Sequence, residues 1–150
     1  MRTALLLPLL GAACWGDEAF GVWKLNPARS KLAANHRSVT LRIEPHTRGE
    51  VFTLDTVAAD GRASTFSTIL YLDGKSREFE DPACSGAQSS RRVDDRTVEI
   101  LRKCAKGGWT RFVRRLGARP KELVLEITEE QTDGRRFEQQ FVLERQRQSK

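Results

Sequence analysis

Residues 50–74, EVFTLDTVAADGRASTFSTILYLDG, decide the fold. Glu50 to Ala59 and Arg62 to Leu72 are runs rich in Val, Phe, Thr, Ile and Leu, divided by Asp60-Gly61 and followed at once by Asp73-Gly74. Asp-Gly between such runs signals a hairpin, because glycine takes the positive φ that a tight turn between twisted strands requires. Two such turns in succession predict a meander, in which each strand lies beside its sequence neighbours. Upstream, Val39, Leu41 and Ile43 alternate with Thr40, Arg42 and Glu44 in a His36 to Glu44 strand, turned by Pro45 to Gly49. Phe20 to Leu25 is a first strand, stopped by Asn26-Pro27, with Pro27 suited to open a single helical turn over Ala28 to Leu32. Downstream, Lys75 to Glu80, Ala87 to Val93, Thr97 to Ala105, Trp109 to Leu116, Glu122 to Glu130 and Arg135 to Arg145 continue the pattern.

The reading is all-β: an antiparallel up-and-down meander of about 8–10 strands. Meanders of this size dispose of exposed edges by closing into a barrel. A two-sheet sandwich needs crossing connections, and the short, consistent turns favour the barrel. A chain of 150 residues suits one core.

The ends and the cysteines speak to compartment. Met1-Arg2 followed by the apolar run Ala4 to Ala13 reads as a signal peptide over residues 1–16, too short to span a bilayer. The folded domain is then 17–145 and the polar tail 146–150. Leu10-Gly11-Ala12-Ala13-Cys14 also approaches a lipoprotein signal, but Gly11 stands where leucine is usual, so ordinary cleavage and a periplasmic or secreted protein is the favoured reading over a lipid anchor at Cys14. Outside the cytoplasm disulfides persist. If Asp94-Asp95-Arg96 is a three-residue hairpin loop, Val93 faces Thr97 and Cys84 lies one diagonal step from Cys104, which predicts a disulfide.

Charge and chemistry narrow the function. The formal net charge is +6, and residues 101–150 hold 13 basic against 7 acidic side chains while residues 1–100 are balanced. Arg111, Arg114, Arg115, Arg119 and Lys121 are the densest stretch, suited to anionic lipid or polysaccharide, although strand alternation separates Arg111 and Arg115 from Arg114. Export and sparse aromatics argue against nucleic acid. No catalytic motif is present: Ser85-Gly86 lacks a nucleophile frame, Gly107-Gly108 has no helix to present to a phosphate, and Asp94-Asp95 and Glu129-Glu130 fit turn and surface roles. His36 and His46 read as solvated strand-end residues without a coordination set, so neither metal nor cofactor is expected.

Gly21-Val22-Trp23-Lys24-Leu25-Asn26, with Ser30-Lys31 just after, the Asp94 to Glu99 hairpin and the final Glu144-Arg145, resembles small secreted bacterial lipocalin-like (calycin-type) proteins, most of which have no assigned function. The resemblance implies a barrel of the lipocalin and fatty-acid-binding-protein kind, without the two-helix lid of the latter. It implies that Trp23, introduced by Gly21, packs across the closed end against Arg145, and strand parity likewise turns Trp23 and Arg145 inward. The expected function is binding, not catalysis, by a monomer. Leu41, Ile43, Leu54, Phe66, Leu125, Ile127, Phe137 and Phe141 would line an interior for a small hydrophobic molecule, with Gln139 and Thr56 or Thr68 as polar contacts. The alternative is a filled barrel without ligand, whose basic outer face meets an anionic envelope surface.

Overall fold

The structure, a computed structural model, describes residues 17–147; the expected signal peptide, Cys14 and the last three residues of the polar tail lie outside them. Ten strands follow in order: β1 (Gly21–Leu25), β2 (His36–His46), β3 (Gly49–Ala58), β4 (Ala63–Leu70), β5 (Arg77–Phe79), β6 (Gly86–Arg92), β7 (Thr97–Cys104), β8 (Trp109–Leu116), β9 (Glu122–Glu130) and β10 (Arg136–Arg145). They form one antiparallel sheet of order β4-β3-β2-β1-β10-β9-β8-β7-β6-β5. The first and last strands are therefore neighbours: Trp23 lies opposite Arg145 on one side and Leu41 on the other. This is the expected all-β up-and-down barrel.

Local chemistry fixes the corners. Pro27 has no N–H to give a ladder, and the Asn26 side chain accepts from Ala28 N at 3.1 Å, so β1 stops and a 3-10 turn, Pro27–Arg29, begins. At Asp60-Gly61 the chain reverses with Gly61 at φ +89°, pairing Val57 with Ala63. At the Asp94 loop Val93 N donates to Thr97 O at 2.9 Å, and the register runs Arg92 to Val98 through Gly86 to Cys104. Cys84 and Cys104 are joined by the expected disulfide, with Cα atoms 5.3 Å apart. Gly86 sits against that bridge, and a Cβ there would fall 1.9 Å from Lys103 O.

Asp73-Gly74 is not a hairpin turn, and β4 does not pair with β5. Leu72 enters the left-handed region at φ +60°, its N–H goes to Ser90 Oγ at 3.0 Å, and Gly74 N donates to Ser90 O at 2.8 Å. Asp73 accepts from Lys75 N and grips Arg77 at 2.7 Å, which holds the chain along β6 and shortens the expected Lys75 to Glu80 strand to three residues. β4 and β5 are thus the two edges of the sheet. One bridge, Asp73 to Arg91, and a Gln88 Nε2 to Thr68 Oγ1 bond at 2.9 Å close the seam between them.

The inward rows follow from register. Glu50, Phe52, Leu54 and Thr56 on β3 face Leu70, Thr68, Phe66 and Ser64 on β4. On the far wall Phe112, Leu125, Ile127 and Phe141 complete one hydrophobic core with Trp23, Leu41 and Ile43.

Candidate functional site

The turns β2–β3, β6–β7 and β8–β9 gather at one end of the barrel with Trp23 and Arg145, and the turns β3–β4, β7–β8 and β9–β10 gather at the other. We call the first, where Trp23 is buried, the closed end, and the second, where Phe137 is exposed, the mouth.

At the closed end the Arg145 guanidinium carbon lies 4.8 Å from the centre of the Trp23 indole, whose Nε1 donates to Ala19 O at 2.9 Å. Arg145 Nη2 donates to Glu18 O. Gly21 opens the strand at φ +136°. Above this lies a buried ion pair: Arg114 Nη1 donates to Glu50 Oε2 at 2.7 Å, the two residues being 3% and 2% exposed. Arg92 approaches the other Glu50 oxygen only to 3.8 Å. Arg114 therefore points inward and does not belong to an outer basic face. Arg111 and Arg115 do face outward, bonded to Glu99 and Glu126 respectively.

The middle storey is filled. Leu41, Ile43, Leu125 and Phe141 are buried to 1% exposure or less and pack with Phe52, Ile100, Leu123 and Leu143. Toward the mouth accessibility returns: Leu54, Ile127 and Phe112 retain some surface, Phe66 is half-buried, and Phe137 is 40% exposed on the rim. Phe66 stacks on Phe112 at 5.7 Å and meets Phe52 edge-on at 6.1 Å.

Polar groups on this upper wall fall into two sets. The first is spent. Arg102 is clamped between Phe66 and Phe79, 4.4 and 3.8 Å from the ring centres, donating to Gln88 Oε1 at 3.1 Å and Asp81 Oδ2 at 2.9 Å. Desolvation holds its pKa below the ordinary arginine value, and the Asp81 carboxylate opposes that shift. Thr68 is taken by Gln88, and Thr56 is half-buried. The second set is unspent. Gln139 Oε1 and both ring nitrogens of His36 are buried without a hydrogen-bond partner, and the His36 ring stands edge-on to Phe141 at 5.7 Å.

His36 is thus not a solvated strand-end residue. A bulge between His36 and Ser38 shifts the β2–β3 register and turns the imidazole toward Phe141. Arg102 and the Glu50–Arg114 pair were also absent from the expected lining, although period two from Val98 and Ile100 places Arg102 inside. Among the described residues no group of three or more His, Cys, Asp or Glu is arranged to hold a metal.

No protein-family model and no curated protein matches the chain. Solved structures do. A fatty acid binding protein from Schistosoma mansoni, in complex with arachidonic acid, superposes with TM-score 0.61 at 9% identity over 89% of this chain and 99% of its own. A secretory abundant heat soluble protein from Ramazzottius varieornatus gives TM-score 0.60 at 8% identity over 88% of this chain and 98% of its own. At such identities what is shared is the fold, a ten-stranded antiparallel barrel of the fatty-acid-binding-protein kind.

Proposed function

We propose that the chain is an exported, monomeric, lipocalin-like binding protein that takes a small hydrophobic molecule in the mouth half of its barrel and catalyses no reaction. The observation that carries this reading is the set of orphaned polar atoms on His36 and Gln139 beside an apolar wall that runs out to the exposed ring of Phe137. An unpaired buried donor or acceptor costs about 1–3 kcal/mol, recovered when a ligand's polar group bonds to it. Phe137, Ile127, Leu54 and Phe66 offer the apolar contact. The filled middle storey confines the ligand to the upper half, so Leu41, Ile43, Leu125 and Phe141 form a floor. The arachidonic acid carried by the S. mansoni protein supports the ligand class. The Cys84–Cys104 disulfide supports an oxidising compartment.

Displacement of a fluorescent fatty-acid analogue tests the reading. Saturable binding is expected, abolished by Ile127→Trp, which fills the upper half, and weakened about tenfold by Gln139→Leu, equivalent to about 1.4 kcal/mol. Failure of any apolar probe to saturate would leave the filled-barrel alternative standing. That alternative retains few residues on the outer face: with Arg111 and Arg115 paired and Arg114 inside, the unpaired part of the basic stretch among the described residues is Arg119 and Lys121.

A further inference from the structure

We propose that a concavity at the closed end is a second binding site, for a phosphate or sulfate group. It lies in the β8–β9 turn against the outside of Trp23, has a volume of about 400 Å³, and is lined by Arg96, Arg119, Lys121 and Arg145 with Glu18 and Glu122. Sites for small molecules fall in this size range, roughly 300–1,000 Å³.

Charge is the first argument. On the barrel wall Arg42, Arg91, Arg111 and Arg115 each meet a carboxylate. Around this hollow four cations stand together, none of them in an ion pair among the described residues, and of its two carboxylates Glu122 is committed to Arg29. Four like charges converging on one hollow, with a single uncommitted carboxylate, repel one another, and an oxyanion relieves that repulsion.

Geometry is the second. Arg96 Nη2 donates to Gly117 O at 2.8 Å and to Leu116 O at 3.2 Å, which anchors the guanidinium at the hollow without neutralising it. Arg145 is fixed by its bond to Glu18 O and by its place over Trp23, and its Nε is buried with no partner. Lys121 sits in the left-handed region at φ +61°, an unfavourable conformation for a residue with a side chain; Arg145 N donates to its carbonyl at 2.9 Å and holds it there. Such strain gathers where a side chain must be presented. The buried indole behind these groups keeps water from one side, so their charges are screened less than on an open strand.

The test follows backbone amide and tryptophan indole NMR signals while inorganic phosphate, then sulfate, is added at low ionic strength. Saturable shifts are expected at Arg96, Lys121 and the Trp23 indole. The exposed double variant Arg119→Ala/Lys121→Ala should weaken binding about tenfold or more. A control double variant elsewhere on the surface, Arg62→Ala/Lys103→Ala, should leave it unchanged. Shifts that never saturate, or equal weakening in both variants, would overturn the site in favour of diffuse charge. Co-sedimentation with phosphatidylglycerol and phosphatidylcholine vesicles separates the sources. Retention on the anionic vesicles alone, lost in Arg119→Ala/Lys121→Ala, assigns a lipid headgroup; phosphate binding without vesicle binding assigns a soluble phosphate ester. Binding of neither overturns the proposal. The fatty-acid analogue enters at the opposite end, so the two readings fail separately.

Discussion

Glu50 and Arg114 carry charges that the barrel removes almost wholly from water, and they do so for one close hydrogen bond at 2.7 Å. Desolvating two ions costs several kcal/mol each, so the pair is tolerated because each member answers the other. Truncating one leaves an uncompensated charge: Glu50→Ala and Arg114→Met should each cost about 3–5 kcal/mol, whereas Glu50→Leu/Arg114→Met should recover most of the loss. Urea titration of the three variants checks this, and single variants within 1 kcal/mol (about fivefold in the equilibrium constant) of wild type would contradict it. The interior position of Arg114 was half legible. Period two sets it opposite Arg111 and Arg115, but which face is inner depends on Glu50, which lies 64 residues away in sequence. His36 was illegible for a different reason, since counting back by twos from Val39 points it outward and one inserted residue at the bulge reverses the parity.

At the scale of the element, β7 is the strand on which charge and register act together. Glu99 faces outward between Arg111 of β8 and Arg91 of β6, with bonds of 2.8 and 2.9 Å. The Arg111 hydrogen bond first, and the Arg91 bond after desolvation is overcome, hold its carboxyl below the ordinary glutamate value. A carboxyl whose pKa is lower folded than unfolded favours the fold at pH above about 4.3 and loses that contribution as pH falls through the lowered value. Asp73, held low chiefly by Arg77, and Asp94, held low chiefly by the Arg96 N–H, act in the same direction. Thermal stability should therefore fall on acidification below about pH 4, and Glu99→Gln should flatten that limb while lowering the plateau at neutral pH. A melting temperature that is steady from about pH 5 to about pH 3 would refute the assignment. The hairpins around β7 were legible because the Asp94 loop fixes its own register and, through it, the disulfide. Asp73-Gly74 repeats the dipeptide of Asp60-Gly61 and means something else, because the Ser90 side chain and carbonyl, remote in sequence, capture the backbone N–H groups that a hairpin needs.

The whole molecule is a ring with two joins of unequal strength. One joins β1 to β10 through a backbone ladder, a 3-10 turn bonded to β10, and Arg145 over Trp23. The other, the seam from β4 to β6, has a single isolated bridge and a few side-chain bonds, among them Gln88 Nε2 to Thr68 Oγ1 and to Ile69 O. Local opening follows the weakest set of contacts, so native-state hydrogen exchange should find β4 and the three-residue β5 exchanging first and β1, β9 and β10 last. Two substitutions separate the joins. Gln88→Ala removes bonds worth about 1 kcal/mol each and should raise exchange in β4 and β5 alone. Trp23→Ala empties a fully buried site shared by the first strand and the core, should cost about 3–5 kcal/mol, and should raise exchange in every strand together. If Trp23→Ala acted only on β1, the indole would be a local ornament of the first strand; a uniform response assigns it, with Gly21 and Arg145, to closure of the barrel. The same experiment bears on ligand access, because Arg102, Phe66 and Phe79 span the seam just below the mouth: exchange in β4 and β5 that slows when the fatty-acid analogue binds would place the ligand against that join, while protection confined to β10 around Gln139 would place it against the opposite wall.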